Sequence, residues 1–161
     1  MRKITIVLGA TFCFFLLEII FAHGISQRLT PEFLLLLIIF LNLSWGIRYS
    51  LVAAFFAGVL KDSLGITAFG FYTFSFVACC YLTVFIKRYI YRSGSGVSVI
   101  LIVAVVSLTN FFLQYFLMLT TEDFPEKISL GTIFFPTVIL TTLITLFVFR
   151  ALRRCVLKLY V

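Results

Sequence analysis

Phe55-Phe56-Ala57-Gly58-Val59-Leu60-Lys61-Asp62-Ser63-Leu64-Gly65-Ile66-Thr67-Ala68-Phe69-Gly70 sets two opposite charges, Lys61 and Asp62, in almost charge-free apolar sequence. Charges in such surroundings are costly in lipid and need partners to stay there. Gly58 and Asp62 are four apart and share one face of a helix. The glycines let neighbouring backbones approach, and Gly65 and Gly70 suit a turn out of that helix. The stretch therefore reads as the end of one membrane helix, a turn, and the start of the next.

The rest of the chain agrees. Of 161 residues, 63% are hydrophobic and only 12% are charged, against about 25% charged in a soluble domain. This composition predicts an all-α, polytopic membrane protein with one transmembrane domain over residues 1–161. Six apolar segments are predicted as helices, at about 4–22, 31–47, 49–64, 69–86, 97–119 and 130–149. The second starts with clear signals: Thr30 suits the cap, Pro31 the first helical position, and Glu32 the positive helix end. The second and third are short for a bilayer. They are read as thinning the membrane, as shielded by longer neighbours, or as re-entrant. Ser93-Gly94-Ser95-Gly96 separates the fourth and fifth segments, and Pro136 kinks or begins the sixth.

Basic residues orient the bundle. With six spans and both termini cytoplasmic, the inner segments hold Arg2, Lys3, Arg48, Lys87, Arg88, Arg92, Arg150, Arg153, Arg154 and Lys158. These are ten of the thirteen basic residues, the asymmetry expected of cytoplasmic loops. The net charge of +7 thus reports topology and contact with anionic lipid at the inner face, not nucleic acid.

Three polar groupings lie within the apolar segments. Glu18 reaches either water and Arg28 near headgroup level, or a buried pair that locks helix 1 to helix 3 or to a partner. Asp62 has two readings. It docks another helix at the glycine groove, or it satisfies the amides of the Ser63–Ala68 turn. Asn110 and Gln114, four apart in helix 5, suit interhelical hydrogen bonds. Lys61 has no evident partner in the sequence. Cys13, Cys79 and Cys80 sit in apolar runs as small hydrophobes, and the one histidine, His23, leaves no metal cluster. Without a Ser/His/Asp set or a phosphate-cradling glycine loop, enzymatic chemistry finds no support, and no cofactor is expected.

Thr30-Pro31-Glu32-Phe33, followed by Gly58-x3-Asp62-x2-Gly65-x4-Gly70, resembles the motif of the MreD family of bacterial rod-shape membrane proteins. Lys61 departs from that pattern, which has an apolar residue before the acid. The resemblance implies a non-enzymatic scaffold in the bacterial cytoplasmic membrane. Gly58, Asp62, Gly65, Gly70, Glu18, Pro31 and Glu32 would be its partner-binding or structural residues. The implied main partner is MreC, a single-span protein. The wider complex implied comprises MreB filaments, a RodA-type glycosyltransferase and a class B penicillin-binding protein. The family's bundle is similar to the substrate-binding subunits of energy-coupling-factor vitamin transporters, so a small-ligand carrier is the alternative function.

Overall fold

The computed structural model describes residues 2–24, 32–64, 70–90, 96–119, 139–145 and 147–150. Pro31, Gly65, Pro136 and the loop Thr120–Ser129 lie outside the described residues. Helices are α1 (Arg2–Gly24), α2 (Phe33–Ser44), α3 (Ile47–Leu64), α4 (Phe71–Ile90) and α5 (Gly96–Leu119). A sixth, α6, is helical at 139–145 and 147–150. Apart from Glu32, Trp45, Gly46 and Gly70 the described residues are all helical, with no strand among them.

α2 occupies the centre. Every residue from Phe33 to Asn42 is buried, and α1, α3, α4 and α5 all pack against it. It is shorter than the sequence suggests. Glu32 is already non-helical (φ −78°, ψ 77°), so the helix begins at Phe33 and not at Pro31. At the other end, Gly46 adopts φ +91° and donates its N–H to Leu41 O (3.1 Å), closing the helix before Ile47. Twelve residues rise about 18 Å, well short of a ~30 Å hydrocarbon core. Longer helices shield α2, as one of the readings of the short second segment expects.

α3 and α4 form the closest pair. Ala53, Ala54, Ala57 and Gly58 are all buried in α3. A Cβ on Gly58 would lie 2.3 Å from Thr73 Cα and 2.8 Å from Thr73 N. Only a residue without a side chain permits this approach, and the atoms in the way are backbone.

The bundle carries apolar residues outside and polar ones within. Phe12, Leu16 and Ile20 of α1 and Leu101, Leu108, Phe112 and Phe116 of α5 are exposed. Thr11, Asn42, Ser50, Asp62, Ser75, Ser107, Asn110, Thr141 and Thr145 are buried. Apolar side chains on this scale suit lipid better than water. α1 and α5 are also long and apolar enough to cross a membrane, over Lys3–Phe21 and Ser98–Leu117.

The Gly58 contact sets a clear expectation. Gly58→Ala should destabilise the protein by about 1–3 kcal/mol, because overpacking here has to move backbone. Gly9→Ala should be neutral or slightly stabilising, since nothing lies within 4 Å of a Cβ at Gly9. Thermal unfolding of the two variants in the same detergent checks both.

Candidate functional site

The charged and amide side chains singled out in the sequence meet at one end of the bundle. The C-terminal parts of α1, α3 and α5, the starts of α2 and α4, and Thr141 of α6 converge there. It is called the Asp62 end here, and the opposite one the Lys87 end.

Asp62 caps α4 from a different helix. Its Oδ1 accepts from the Tyr72 N–H (2.9 Å). Its Oδ2 accepts from the Thr73 N–H (3.1 Å) and the Thr73 hydroxyl (2.6 Å). These are the second and third residues of α4, whose amides have no partner within the helix. The residue at the cap position is Gly70, at φ +106°, which has no side chain to serve them. Asp62 supplies the missing carboxylate, favoured by the positive helix end. Gly58 makes this reach feasible by bringing Thr73 against α3. Among the described residues, the groove and the carboxylate are filled by the chain's own α4, and the amides served lie beyond the Ser63–Ala68 turn.

Lys61 points away from Asp62 and has its own partners. Its Nζ donates to Glu18 Oε1 at 2.7 Å. It also lies over the rings of Tyr72 (5.0 Å) and Phe76 (5.6 Å), whose π faces attract the cation. Glu18 is thus the buried pair that locks helix 1 to helix 3. Its second oxygen, Oε2, accepts from the Leu34 N–H (3.2 Å), so one carboxylate joins α1, α3 and the start of α2. The pair is mostly shielded, with 21% of the Lys61 and 13% of the Glu18 side chain exposed.

Glu32 does not cap its own helix. Its Oε2 accepts from Asn110 Nδ2 at 2.8 Å, and its N–H donates to Thr141 Oγ1 (3.3 Å). Asn110 Oδ1 accepts from the Ser75 hydroxyl (2.5 Å). Asn110 therefore fastens α5 to both α2 and α4. Gln114 also lies beside the Glu32 carboxyl, but its buried Nε2 makes no well-aligned hydrogen bond among the described residues, and neither does the Ser107 hydroxyl.

The sequence reading missed a second polar cluster, at the Lys87 end. Asn42 Nδ2 donates to Cys80 O (2.9 Å), and the Ser50 hydroxyl donates to Ile38 O (3.0 Å). Lys87 Nζ donates to the carbonyls of Asn42 and Leu43, each at 3.2 Å. A lysine read from the sequence as a topology marker thus serves the negative end of α2. An asparagine inside an otherwise apolar ten-residue run was the available signal.

The described positions of the sequence motif, Glu32, Phe33, Gly58, Asp62 and Gly70, therefore lie in the contacts between α3 and α4 and around the start of α2. The family described as rod shape-determining protein MreD matches residues 1–156. The chain belongs to the MreD family. MreD proteins are membrane proteins that act in rod-shape determination, and the family is not a known enzyme family. No curated protein and no solved structure matches the chain. No group of three or more His, Cys, Asp or Glu suited to a metal occurs among the described residues.

Two sets of variants test this geometry. Asp62→Ala should destabilise by about 1–2 kcal/mol through loss of the cap, and faster amide exchange should be confined to the first turn of α4. Glu18→Gln or Lys61→Met alone should each cost about 3–5 kcal/mol, because each strands a buried charge. The double variant should recover a substantial part of that loss. Unfolding free energies for the four proteins of this cycle provide the check, and a double variant as unstable as the sum of the two singles would refute the pairing.

Proposed function

We propose that this MreD-family chain is a non-enzymatic scaffold of the bacterial cell-elongation machinery. It binds an MreC-type single-span protein and links cytoplasmic MreB filaments to peptidoglycan synthesis. The wider assembly would include a RodA-type glycosyltransferase and a class B penicillin-binding protein. The observation that carries the reading is the internal use of the embedded charges. Glu18, Glu32, Lys61 and Asp62 each bond to another helix of the same chain. What the described helices offer to the outside is a fixed, mostly apolar surface, suited to binding other membrane helices.

The proposed setting is the cytoplasmic membrane, crossed six times with both termini inside. Arg48, Lys87, Arg88 and Arg150 lie at the Lys87 end, which supports placing that end in the cytoplasm against anionic lipid. In this reading Gly58, Asp62, Gly70, Glu18 and Glu32 act by holding the shape that a partner recognises, and Pro31 and Gly65 belong to the same framework. The similarity to the substrate-binding subunits of energy-coupling-factor transporters remains part of the proposal. The transporter function is less well supported, since Asn110 and three of the carboxylates are taken up by contacts between helices.

Co-expression with the MreC-type protein of the same genome tests the reading. The wild-type chain should retain it through two purification steps in detergent. Asp62→Leu should lose it in proportion to the loss of folded protein. Failure of the folded wild type to retain it, together with a co-purifying vitamin, would replace the scaffold with the carrier.

A further inference from the structure

α1, α3 and α4 enclose an open groove of about 420 Å³, lined by Leu8, Leu51, Val52, Phe55, Val77 and Tyr81 among others. All but one of these side chains suit lipid. Tyr81 is the exception. It lies ten residues into the twenty-residue α4, about 15 Å from either helix end. Tyrosines of membrane helices belong near the headgroups, where the hydroxyl meets water. Tyr81 is 56% exposed, and its hydroxyl has no hydrogen-bond partner among the described residues. A hydroxyl facing hydrocarbon without a partner is unfavourable.

We propose that this groove seats the membrane-spanning helix of a single-span partner. That helix would be apolar along the inserted face and would carry a hydrogen-bond acceptor (Ser, Thr, Asn or Gln) level with Tyr81. The proposal rests on the scaffold reading and moves its contact surface from the Gly58–Asp62 stretch, which α4 fills, to the open side of the same helices. The polar complement at mid-membrane decides the occupant. A lipid chain has no acceptor at that depth, because its ester groups lie near the headgroups. A second copy of this chain fits poorly. A two-fold contact sets the same patch against itself, and two facing grooves do not fill each other, whereas a single helix is convex.

The test uses the full chain co-expressed with its MreC-type protein, with a photo-crosslinking amino acid at Phe55 or, on the exposed face of α5, at Phe112. Adducts with the MreC-type protein are expected at position 55 and not at 112. Tyr81→Phe removes one exposed oxygen and leaves the fold intact. It should weaken partner retention about threefold, the size of one hydrogen bond between membrane helices. Val52→Trp should block the groove and weaken retention about tenfold or more, whereas Phe112→Trp should have no effect. Equal retention by wild type, Tyr81→Phe and Val52→Trp would overturn the groove while leaving the scaffold reading intact. So would adducts at position 55 containing only lipid or a second copy. Failure of the wild type to retain the MreC-type protein would overturn both.

Discussion

A helix buried along its length among other helices has no water to satisfy its ends. α2 is in that position, and much of the polar architecture follows from it. Its free N–H groups must find acceptors and its free carbonyls donors, because an unpaired backbone group at this depth is costly. Glu18 reaches from α1 to the Leu34 N–H, and Lys87 reaches from α4 to the carbonyls of Asn42 and Leu43. The carboxylate meets the positive end of α2 and the ammonium meets the negative end, so each charge is favoured by the helix it serves. Glu18 in turn needs Lys61, and Lys61 rests on the rings of Tyr72 and Phe76. Burying one short helix thus recruits ionised side chains from three others.

The α3–α4 junction meets the same demand by a different route. Gly70 starts α4 with a backbone conformation suited to glycine, and so with no side chain to cap the helix. The cap comes from Asp62, and it reaches only because Gly58 lets the two backbones nearly touch. Gly58, Asp62 and Gly70 are therefore three parts of one contact. Internal bonding of this kind suits the scaffold proposed above for this MreD-family chain.

Much of this was legible in the sequence. Helix count, the shared face of Gly58 and Asp62, and the interhelical role of Asn110 could all be read from spacing and polarity. The burial of α2 could not, because lipid and protein interior both select Leu, Ile and Phe. The pattern of a central helix therefore matches that of a peripheral one. Nor could the partner of Lys61, since Glu18 lies 43 residues away and nothing local links them. The boundaries of α2 were misjudged for a local reason. Pro31 and Glu32 look like a first turn, but Glu32 turns out of the helix to meet Asn110 and Thr141.

The separations along the chain between bonded groups carry a consequence for biogenesis. The bonds from Asp62 span only 10 and 11 residues, so the clasp between α3 and α4 is complete as soon as residue 73 is in place. The bonds of Glu32 span 78 residues to Asn110 and 109 to Thr141. During synthesis, α1 to α4 can assemble as a unit with Glu32 still unpaired at its edge. The arrival of α5 and α6 then supplies the groups that close it. The half-buried Glu32 has its carboxylate bonded only once Asn110 of α5 has been made, and its N–H only once Thr141 has followed.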